Sequence, residues 1–374
     1  MSGATLQTSL SVGVVAWRDL ANPRAGGSEV VVDAYLRGLQ ERGHTVKLMC
    51  GGPVGPRAYP VHQIGGTYSQ YLRAPLAHAR WMRGIDVLLD VQNGIPFFSP
   101  LWRRRPTVCL VHHVHTQQWA QHFPAPVAAL GRTLEGSLMP AVYRRTPYVA
   151  VSPGTARDLG GLGIPTEQIT VVPNGVDPFE PTDARSSEPL FLALGRAVPH
   201  KRLDLLLRHW ERVRPATGGK LVIAGDGPEL PRLRALAAND PSVEFTGSIS
   251  EDEKRRLLSS AWMLVHPASH EGWGMVVLEA GLGRTPTLAY DVPGLCDTVR
   301  DGITGRLVTT DDAFASAWIE MARAPEIRAT LGDAARGWAL GFTWDRTVAR
   351  LERVLLDAAY APHPQPALPA VVGT

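Results

Sequence analysis

The chain has 374 residues, of which 44% are hydrophobic and 20% are charged, and its formal net charge is only +3. This length is long for one domain and comfortable for two, and the small net charge argues against a general nucleic-acid binder. Three widely spaced cysteines, no apolar stretch of about 18 residues and no signal-peptide profile argue against a disulfide framework, a membrane span and secretion, so we expect a cytoplasmic protein.

Basic residues form two local clusters, Arg103-Arg104-Arg105 beside Trp102, and Arg144-Arg145. A cluster of this kind is commonly a solvated face of the protein. It also suits contact with an anionic membrane surface, which would make the protein peripheral to the membrane, or with a phosphorylated acceptor. Both interpretations stay open, and the sequence contains no pattern that indicates an oligomeric state.

In the first half of the chain, apolar runs predict strands at residues 12–17, 45–49, 86–90, 107–111, 148–151 and 169–172, and residues 51–70 are predicted to be irregular. A loop containing Gly26 and Gly27 follows the first strand, and a helix then extends to about residue 42. Strand, loop, helix and strand form a βαβ unit, which implies a parallel sheet. The loop does not match G-x-G-x-x-G, which weighs against a dinucleotide-dependent dehydrogenase.

Three histidines, His112, His113 and His115, follow the strand at residues 107–111. In open α/β sheets ligands collect outside the carboxyl ends of the strands, so we expect at least one of the three to contact substrate. A hydrogen-bonded loop histidine and a zinc site are the alternatives. Zinc is the weaker of these because no cysteine or carboxylate lies at ligand spacing.

The second half repeats the alternation of strand and helix. Residues 177–189 have the composition of a linker, and strands are predicted at residues 190–194, 220–224, 243–246, 263–266 and 287–290. We therefore predict a first domain over residues 1–180, a second over residues 181–342, a last helix over residues 343–360 that packs back towards the first domain, and a loose tail over residues 361–374.

Two glutamates, Glu271 and Glu279, flank a Gly272-Trp273-Gly274 turn that leads into an apolar helix beginning near Met275. A helix N-terminus carries free N–H groups and partial positive charge, so it suits a phosphate. Glu279 would lie roughly 6 Å further along the helix axis. This spacing fits a nucleotide-sugar, with the sugar at Glu271, the diphosphate at Gly272 to Met275 and the ribose hydroxyls at Glu279.

Arg196 and Lys201 flank one short turn after the strand at residues 190–194. Their cationic groups could converge on one anion, because arginine offers a planar fork and lysine a point charge. Ordinary surface charge is the alternative interpretation of this pair.

Together these motifs resemble glycosyltransferase family 4, and the resemblance covers about residues 12–358. The strongest match is the Glu-x7-Glu spacing of Glu271 and Glu279. The supporting matches, in chain order, are Pro173-Asn174-Gly175-Val176-Asp177, Gly195-Arg196 with Lys201, Gly225-Asp226-Gly227-Pro228, Phe245-Thr246-Gly247, Val292-Pro293-Gly294 and Asp301-Gly302-x-Thr304-Gly305. The family implies the GT-B architecture, an α/β fold with two facing Rossmann-like domains, parallel sheets and a cleft between them.

The resemblance also implies a retaining, metal-independent transfer of sugar from a nucleotide-sugar, with UDP- or GDP-sugar the first candidates and no cofactor. It implies that Arg196 and Lys201 hold the diphosphate, that Glu271 contacts the donor sugar, that Glu279 binds the ribose, and that His112 faces the reacting sugar. Further donor contacts are implied for Gly26, Gly27, Gly247, Gly272, Gly274, Met275 and Val276. His112 aligns best with the family's histidine, but the run His112-His113-x-His115 leaves the choice among the three open. The family commonly has His-Asp here, and His113 departs from that pattern, so the resemblance does not indicate which group orients His112.

Two alternatives to sugar transfer carry different chemistry. A pair of carboxylates could act as in a glycosidase, but one glutamate in a loop and one in a helix facing ribose argue against that geometry. A nucleotide-sugar epimerase or another non-transferase enzyme on the same scaffold is the second alternative. The acceptor, which could be a glycolipid, a polysaccharide or a secondary metabolite, is not indicated, although Tyr68, Gln70, Gln117, Gln118 and Trp119 are candidates to line its cleft.

Overall fold

The computed structural model describes residues 9–116, 118–182 and 185–361. Gln117 and the predicted tail beyond residue 361 lie outside the described residues. Two parallel sheets dominate the described chain, one formed before residue 172 and one after residue 189. The expectation of an α/β protein with two facing Rossmann-like domains is confirmed.

The first sheet has seven strands in the order β3-β2-β1-β4-β5-β6-β7. Its strands are β1 (Ser11–Arg18), β2 (Thr45–Gly51), β3 (Val61–Gly65), β4 (Val87–Gln92), β5 (Thr107–Val111), β6 (Tyr148–Ala150) and β7 (Ile169–Val171). Every residue of β4, β5 and β6 is buried, as expected for central parallel strands covered on both faces. The strand order reverses between β1 and β4, and in open α/β sheets ligands bind at such a point, outside the carboxyl ends of the strands.

The helices of this half are α1 (Gly27–Glu41), α2 (Ser69–Trp81), α3 (Ser99–Trp102), α4 (Trp119–His122), α5 (Ala125–Thr133), α6 (Met139–Val142) and α7 (Pro153–Gly161). A π-helical turn, Leu134–Leu138, joins α5 to α6, and a 3-10 turn, Thr166–Gln168, precedes β7.

The second sheet has six strands in the order β10-β9-β8-β11-β12-β13. Its strands are β8 (Leu190–Leu194), β9 (Lys220–Ala224), β10 (Val243–Gly247), β11 (Met263–His266), β12 (Thr287–Tyr290) and β13 (Gly305–Val308). The helices are α8 (Leu203–Thr217), α9 (Leu230–Leu236), α10 (Glu251–Ser260), α11 (Met275–Leu282), α12 (Leu295–Thr298), α13 (Asp311–Arg323), α14 (Pro325–Ala339) and α15 (Trp344–Tyr360). A 3-10 turn, Pro199–Lys201, precedes α8.

The sequence analysis was wrong about residues 51–70, which contain β3 and the start of α2. Short edge strands such as β3 bury little apolar surface and leave a weak alternation, and β13 was missed for the same reason. The predicted boundary near residue 180 lies between β7 and β8. Helix α15 follows the second sheet but packs on the first half, where a Cβ on Gly38 would lie 2.6 Å from Val348 Cγ2 and where His44 Nε2 lies 2.8 Å from Glu352 Oε1.

The basic cluster at residues 103–105 is only partly a surface feature. Arg103 is buried, and its guanidinium donates hydrogen bonds to the carbonyl oxygens of Ile85, Asp86 and Pro106. Burial first, and the charge of the neighbouring Arg105 second, lower the pKa of Arg103 to about 10. Arg103 therefore joins two strands of the first sheet, and Arg104 and Arg105 alone are exposed.

Candidate functional site

The loop between β11 and α11 is held by backbone contacts on both sides. The Ser269 N–H donates to the His200 carbonyl (3.0 Å), and the Glu271 N–H donates to the Pro293 carbonyl (3.2 Å). Gly294 has a φ of +84°, and a Cβ there would lie 2.1 Å from the Glu271 carbonyl oxygen. Gly274 caps α11 with a φ of +76°. Glycine is needed at both positions because other residues rarely adopt this conformation.

This loop places the Glu271 side chain in contact with that of Lys201. Lys201 Nζ lies 2.5 Å from Glu271 Oε1, and the two side chains are 14% and 16% exposed. Burial alone would raise the pKa of the Glu271 carboxyl, but Lys201 and His266 outweigh it and hold that pKa well below its usual range. His266 Nε2 lies 3.8 Å from the same oxygen. The Glu271 carboxyl is therefore ionised, and its contact with Lys201 joins the 3-10 turn before α8 to the loop before α11.

The second glutamate, Glu279, also has a cationic partner. Lys254 Nζ, on α10, lies 2.9 Å from Glu279 Oε1 and 2.8 Å from Glu251 Oε2. Burial opposes the charge on Lys254, but the two glutamates outweigh it, so the pKa of Lys254 is raised. Sequence reasoning missed Lys254, because no local spacing relates it to a glutamate on the following helix.

The glycine motifs of the second domain stack backbone on backbone at the carboxyl ends of β8, β9 and β10. A Cβ on Gly225 would lie 2.1 Å from the Gly195 carbonyl oxygen, and a Cβ on Gly227 would lie 2.4 Å from that of Ala197. The Gly225 N–H donates to the Gly247 carbonyl at 2.8 Å. No atom lies within 4 Å of a Cβ built on Gly247. The three loops therefore pack directly against one another, and the space beside Gly247 is open.

Arg196 faces the Gly26–Gly27 loop of the first domain. Its Cδ and Nη1 atoms lie 3.4 and 3.8 Å from a Cβ built on Gly26, whereas nothing lies within 4 Å of one built on Gly27. Arg18, at the end of β1, is a cation that sequence reasoning missed. It pairs with Glu29 at 3.2 Å, and its pKa is lowered by burial first, with Arg196 among the charges that lower it further. Two arginines therefore approach the N-terminus of α1 from opposite domains.

His112 lies where the two domains touch. Its carbonyl oxygen accepts a hydrogen bond from Thr155 Oγ1 (3.1 Å) and would be 2.5 Å from a Cβ on Gly272. The ring is buried, and among the described residues its Nε2 atom has no hydrogen-bond partner. Burial, with a smaller contribution from His115, lowers the pKa of His112 to about 4. The imidazole is therefore neutral, and its Nε2 atom is unused.

The other two histidines have different neighbours. The His113 ring lies 3.9 Å from that of His115 and 5.8 Å from that of His270, measured between ring centroids. Burial and the surrounding histidines keep the pKa of His113 well below its usual value. His115 contacts Glu135 through its backbone N–H (2.7 Å) and its Nδ1 atom (3.2 Å).

Glu135 is a buried residue of the π-helical turn, and it also accepts a hydrogen bond from Trp119 Nε1 at 3.0 Å. Trp119 fits against two glycines, since a Cβ on Gly131 would lie 2.3 Å from its ring and a Cβ on Gly94 would lie 3.1 Å from it. Single π turns in a helix are frequent at functional sites. Sequence reasoning missed Glu135, and the signal available was a lone carboxylate in an otherwise apolar helix.

The structure thus brings together Lys201, Glu271, Gly272 and His112 at one junction, and Arg196 with Gly26 at another. Glu279 lies on α11 with its own partner, and Met275 and Val276 form the first turn of that helix. The first N–H groups of a helix have no acceptor within the helix.

Of the acceptor-cleft candidates, Gln70 and Trp119 are engaged in internal contacts instead. Gln70 is buried and donates to the Trp17 and Thr67 carbonyls. Gln118 is buried as well, whereas Tyr68 is 62% exposed.

The described residues contain no group of three or more histidine, cysteine, aspartate or glutamate side chains placed to hold a metal ion. None of their helices is both long enough and apolar enough to cross a membrane.

Both halves of the chain match models of known protein families. A family model described as Glycosyltransferase Family 4 matches residues 25–179, and one described as Glycosyl transferases group 1 matches residues 178–338. A D-inositol 3-phosphate glycosyltransferase of Acidothermus cellulolyticus is 35% identical over 84% of this chain and 77% of its own length. The chain belongs to glycosyltransferase family 4.

A second relative of this family 4 chain is the GDP-mannose-dependent alpha-(1-6)-phosphatidylinositol monomannoside mannosyltransferase of Mycolicibacterium smegmatis. It is 29% identical over 89% of this chain and 95% of its own length. With several other curated relatives the match spans only about half of the relative's length. Among solved structures, Anabaena HepE in complex with UDP and glucose superposes with a TM-score of 0.74 at 16% identity, over 93% of this chain and all of that one. This likeness confirms the GT-B fold.

Proposed function

We propose that this protein transfers a sugar from a nucleotide-sugar donor to a hydroxyl group of an acceptor. The observation that carries the proposal is the convergence of Lys201, Glu271 and the first turn of α11 at the junction with His112. Cations and helix N–H groups gathered at one point suit a diphosphate, and the carboxylate beside them suits the hydroxyls of the attached sugar.

The chemistry follows from where charge develops. Breaking a bond between sugar and phosphate builds positive charge on the sugar and negative charge on the diphosphate. Preorganised cations and helix N–H groups aimed at the diphosphate stabilise that transition state most. Arg196 and Lys201 would hold the leaving group, Glu271 would position the sugar, and Glu279 would accept hydrogen bonds from the ribose. We infer retention of configuration without a metal, the leaving phosphate itself taking the proton of the acceptor.

His112 fits the sugar side of this arrangement. A neutral imidazole with an unused nitrogen can accept or donate one hydrogen bond to a sugar hydroxyl without adding charge. The backbone of His112 lies against Gly272, and its ring has a nitrogen without a hydrogen-bond partner among the described residues, so we propose His112 ahead of His113 and His115 for the role.

The relatives support a narrower choice of substrates. One is named for D-inositol 3-phosphate and another for GDP-mannose and a phosphatidylinositol monomannoside, while HepE was solved with UDP. We therefore propose a UDP- or GDP-sugar as donor and an inositol phosphate or phosphatidylinositol-type molecule as acceptor.

Thermal shift with a panel of nucleotides and nucleotide-sugars tests the donor. A true donor raises the Tm with its concentration by mass action, whereas an unrelated nucleotide does not. Release of nucleotide from that donor should then depend on added inositol phosphate and persist with EDTA. Conversion of the donor to an epimer, without acceptor, would refute the transferase proposal.

A further inference from the structure

Asp297, on α12, lies at the boundary between the two domains. Its side chain is 7% exposed, and its Oδ2 atom accepts a hydrogen bond from the Gly154 N–H at 2.7 Å. Gly154 belongs to the first turn of α7, and the N–H groups of a first turn have no acceptor within their own helix. A carboxylate at this end is also stabilised by the helix dipole. The second domain therefore supplies a cap for a helix of the first domain.

Helix α7 also has a cap from its own domain. Ser152 Oγ accepts a hydrogen bond from the Thr155 N–H at 2.9 Å, and Thr155 Oγ1 donates to the His112 carbonyl. These bonds fix the first turn of α7 within the first domain. The helix therefore does not need Asp297 in order to form, and the bond to Gly154 instead fixes the position of Asp297 relative to the first domain.

The first turn of α7 packs tightly against the second domain. A Cβ built on Gly154 would lie 2.8 Å from Asp297 Oδ2, 3.1 Å from the Gly294 backbone nitrogen and 3.4 Å from Pro293 Cβ. Arg157, on the same helix, adds a weaker contact, since its Nη2 atom lies 3.4 Å from Asp297 Oδ1 and its side chain is 63% exposed. The hydrogen bond from Gly154 is thus the stronger of the two contacts that Asp297 makes with α7.

The segment that carries Asp297, residues 293–298, forms one wall of the loop that contains Glu271. The Glu271 N–H donates to the Pro293 carbonyl at 3.2 Å, and a Cβ on Gly294 would lie 2.1 Å from the Glu271 carbonyl oxygen. Backbone groups packed this closely do not shift independently of one another. A displacement of the segment would therefore displace the backbone of Glu271.

We propose that Asp297 is a positioning residue for Glu271. By holding residues 293–298 against α7, its carboxylate sets the position of the Glu271 loop relative to His112 of the first domain. Asp297 acts through this segment and does not itself touch the substrate, since both of its carboxylate oxygens are engaged by α7. This inference deepens the proposed function and rests on it, because it takes Glu271 as the residue that positions the donor sugar.

Asp297→Ala tests the inference by kinetics and by small-angle X-ray scattering. We expect kcat to fall by about tenfold to hundredfold, because a hydrogen bond to a charged group is lost. The Kd for the nucleotide of the donor, UDP or GDP, should stay close to the wild-type value, and the radius of gyration should increase. Asp297→Asn keeps an oxygen that accepts from the Gly154 N–H, so it should restore most of kcat.

Gly154→Ala disturbs the same contact from the other domain, and the chain offers a matched control. The losses in kcat of Gly154→Ala and Asp297→Ala should not multiply in the double variant, because both break one contact. Asp240 likewise accepts a backbone N–H, from Ser242 at 2.9 Å, and pairs with Arg214 at 3.0 Å, but entirely within the second domain. Asp240→Ala should therefore keep the kcat and the radius of gyration of the wild type.

Several outcomes would overturn the inference. They are an unchanged kcat in Asp297→Ala, multiplied losses in the double variant, and a loss in Asp240→Ala as large as that in Asp297→Ala. If Asp297→Ala does not fold, a wild-type kcat in Gly154→Ala overturns it alone. Absence of sugar transfer by the wild type would refute the proposed function instead, and an unchanged radius of gyration in Asp297→Ala would then overturn this inference separately.

Discussion

At the scale of single residues, the pair formed by Lys201 and Glu271 dominates the site. Both side chains are largely buried, and neither was expected from the sequence to be the partner of the other. The sequence analysis placed Lys201 in the turn before one helix and Glu271 in the loop before another, and it assigned both to the donor on resemblance. Their pairing depends on the 3-10 turn before α8 meeting a loop about 70 residues later, which no local pattern encodes.

Replacing Lys201 should separate catalysis from stability. Lys201→Met should lower turnover at least about hundredfold, because it removes a cation aimed at the leaving group. It should also lower the free energy of unfolding at pH 7 by about 3 kcal/mol, because Glu271 is left buried without its partner. Turnover with the donor and urea unfolding measure the two effects.

The double variant Lys201→Met/Glu271→Gln is the matched control, and it should regain much of the stability but none of the activity. The direction in which stability changes with pH follows from the lowered pKa of Glu271. The pair stabilises the protein fully above the unfolded pKa of about 4.3, and this contribution is lost as the pH falls through the lower folded pKa. A double variant no more stable than the single one would contradict this account.

His112 should make the protein sensitive to mild acid. Its folded pKa of about 4 lies below an unfolded value of about 6.5, so its stabilising contribution is complete above pH 6.5 and declines as the pH falls through 4. His112→Gln should therefore lose less stability than the wild type between pH 7 and pH 5, by on the order of 1–2 kcal/mol. Urea unfolding at the two pH values checks this, and identical losses in both proteins would count against a buried neutral histidine.

At the scale of elements, the helix from α5 through the π turn to α6 holds the histidine loop. Trp119 packs between Gly94 and Gly131, and its indole N–H and the His115 ring both bind Glu135. The sequence indicated the strand and the histidines after it. It could not indicate the π turn, because one extra residue rotates the following residues by about 100° and so interrupts the apolar period by which a helix is recognised.

Two alanine substitutions in this helix should have opposite effects. Gly131→Ala would place a Cβ 2.3 Å from the Trp119 ring, so it should destabilise the protein by about 2 kcal/mol or more. Gly136→Ala meets only Thr116 Cγ2 at 3.8 Å, so it should be neutral or stabilise by up to about 1 kcal/mol. Thermal unfolding of both variants compares them. Similar Tm values would mean that Trp119 does not lie against Gly131.

We infer that Glu135 positions His115 and does not itself touch the substrate. Glu135→Gln should disturb the His115 contacts. Both carboxylate oxygens of Glu135 accept hydrogen bonds, one from His115 and one from Trp119, whereas only one terminal atom of a carboxamide is an acceptor. We expect a lower kcat with little change in the donor Kd, and altered chemical shifts of the His115 ring nitrogens in NMR spectra. Unaltered ring shifts would indicate that Glu135 serves the packing of Trp119 alone.

At the scale of the whole molecule, the family's motifs made the two-sheet architecture predictable, since alternation of strand and helix and the glycine loops are local features. The contacts between domains were not predictable, because they pair residues far apart in the chain. Asp297 illustrates this, since its carboxylate accepts a hydrogen bond from the Gly154 N–H of α7 at 2.7 Å and lies 3.4 Å from Arg157 Nη2. Nothing in the spacing of those residues indicates that they meet.

Close approach of the domains at Gly272 should be needed for activity. In Gly272→Ala the new Cβ would lie 2.5 Å from the His112 carbonyl oxygen, so the domains would have to separate. We expect a lower kcat, a larger radius of gyration in small-angle X-ray scattering and little change in Tm. Gly160→Ala, with nothing within 4 Å of its Cβ, is the control and should match the wild type in all three.

Trp273 has a mechanical consequence. It belongs to the loop between β11 and α11 of the second domain, yet it packs among core residues of the first domain. Its indole N–H donates to the Asn174 carbonyl (3.2 Å), and the centroid of its ring lies 5.3 Å from that of the Phe342 ring. Asn174 and Phe342 lie where the chain passes between domains in each direction, so Trp273 attaches the Glu271 loop to both crossings. A swing of the second domain about these crossings would therefore displace that loop little, because the loop is attached at the point about which the domain turns.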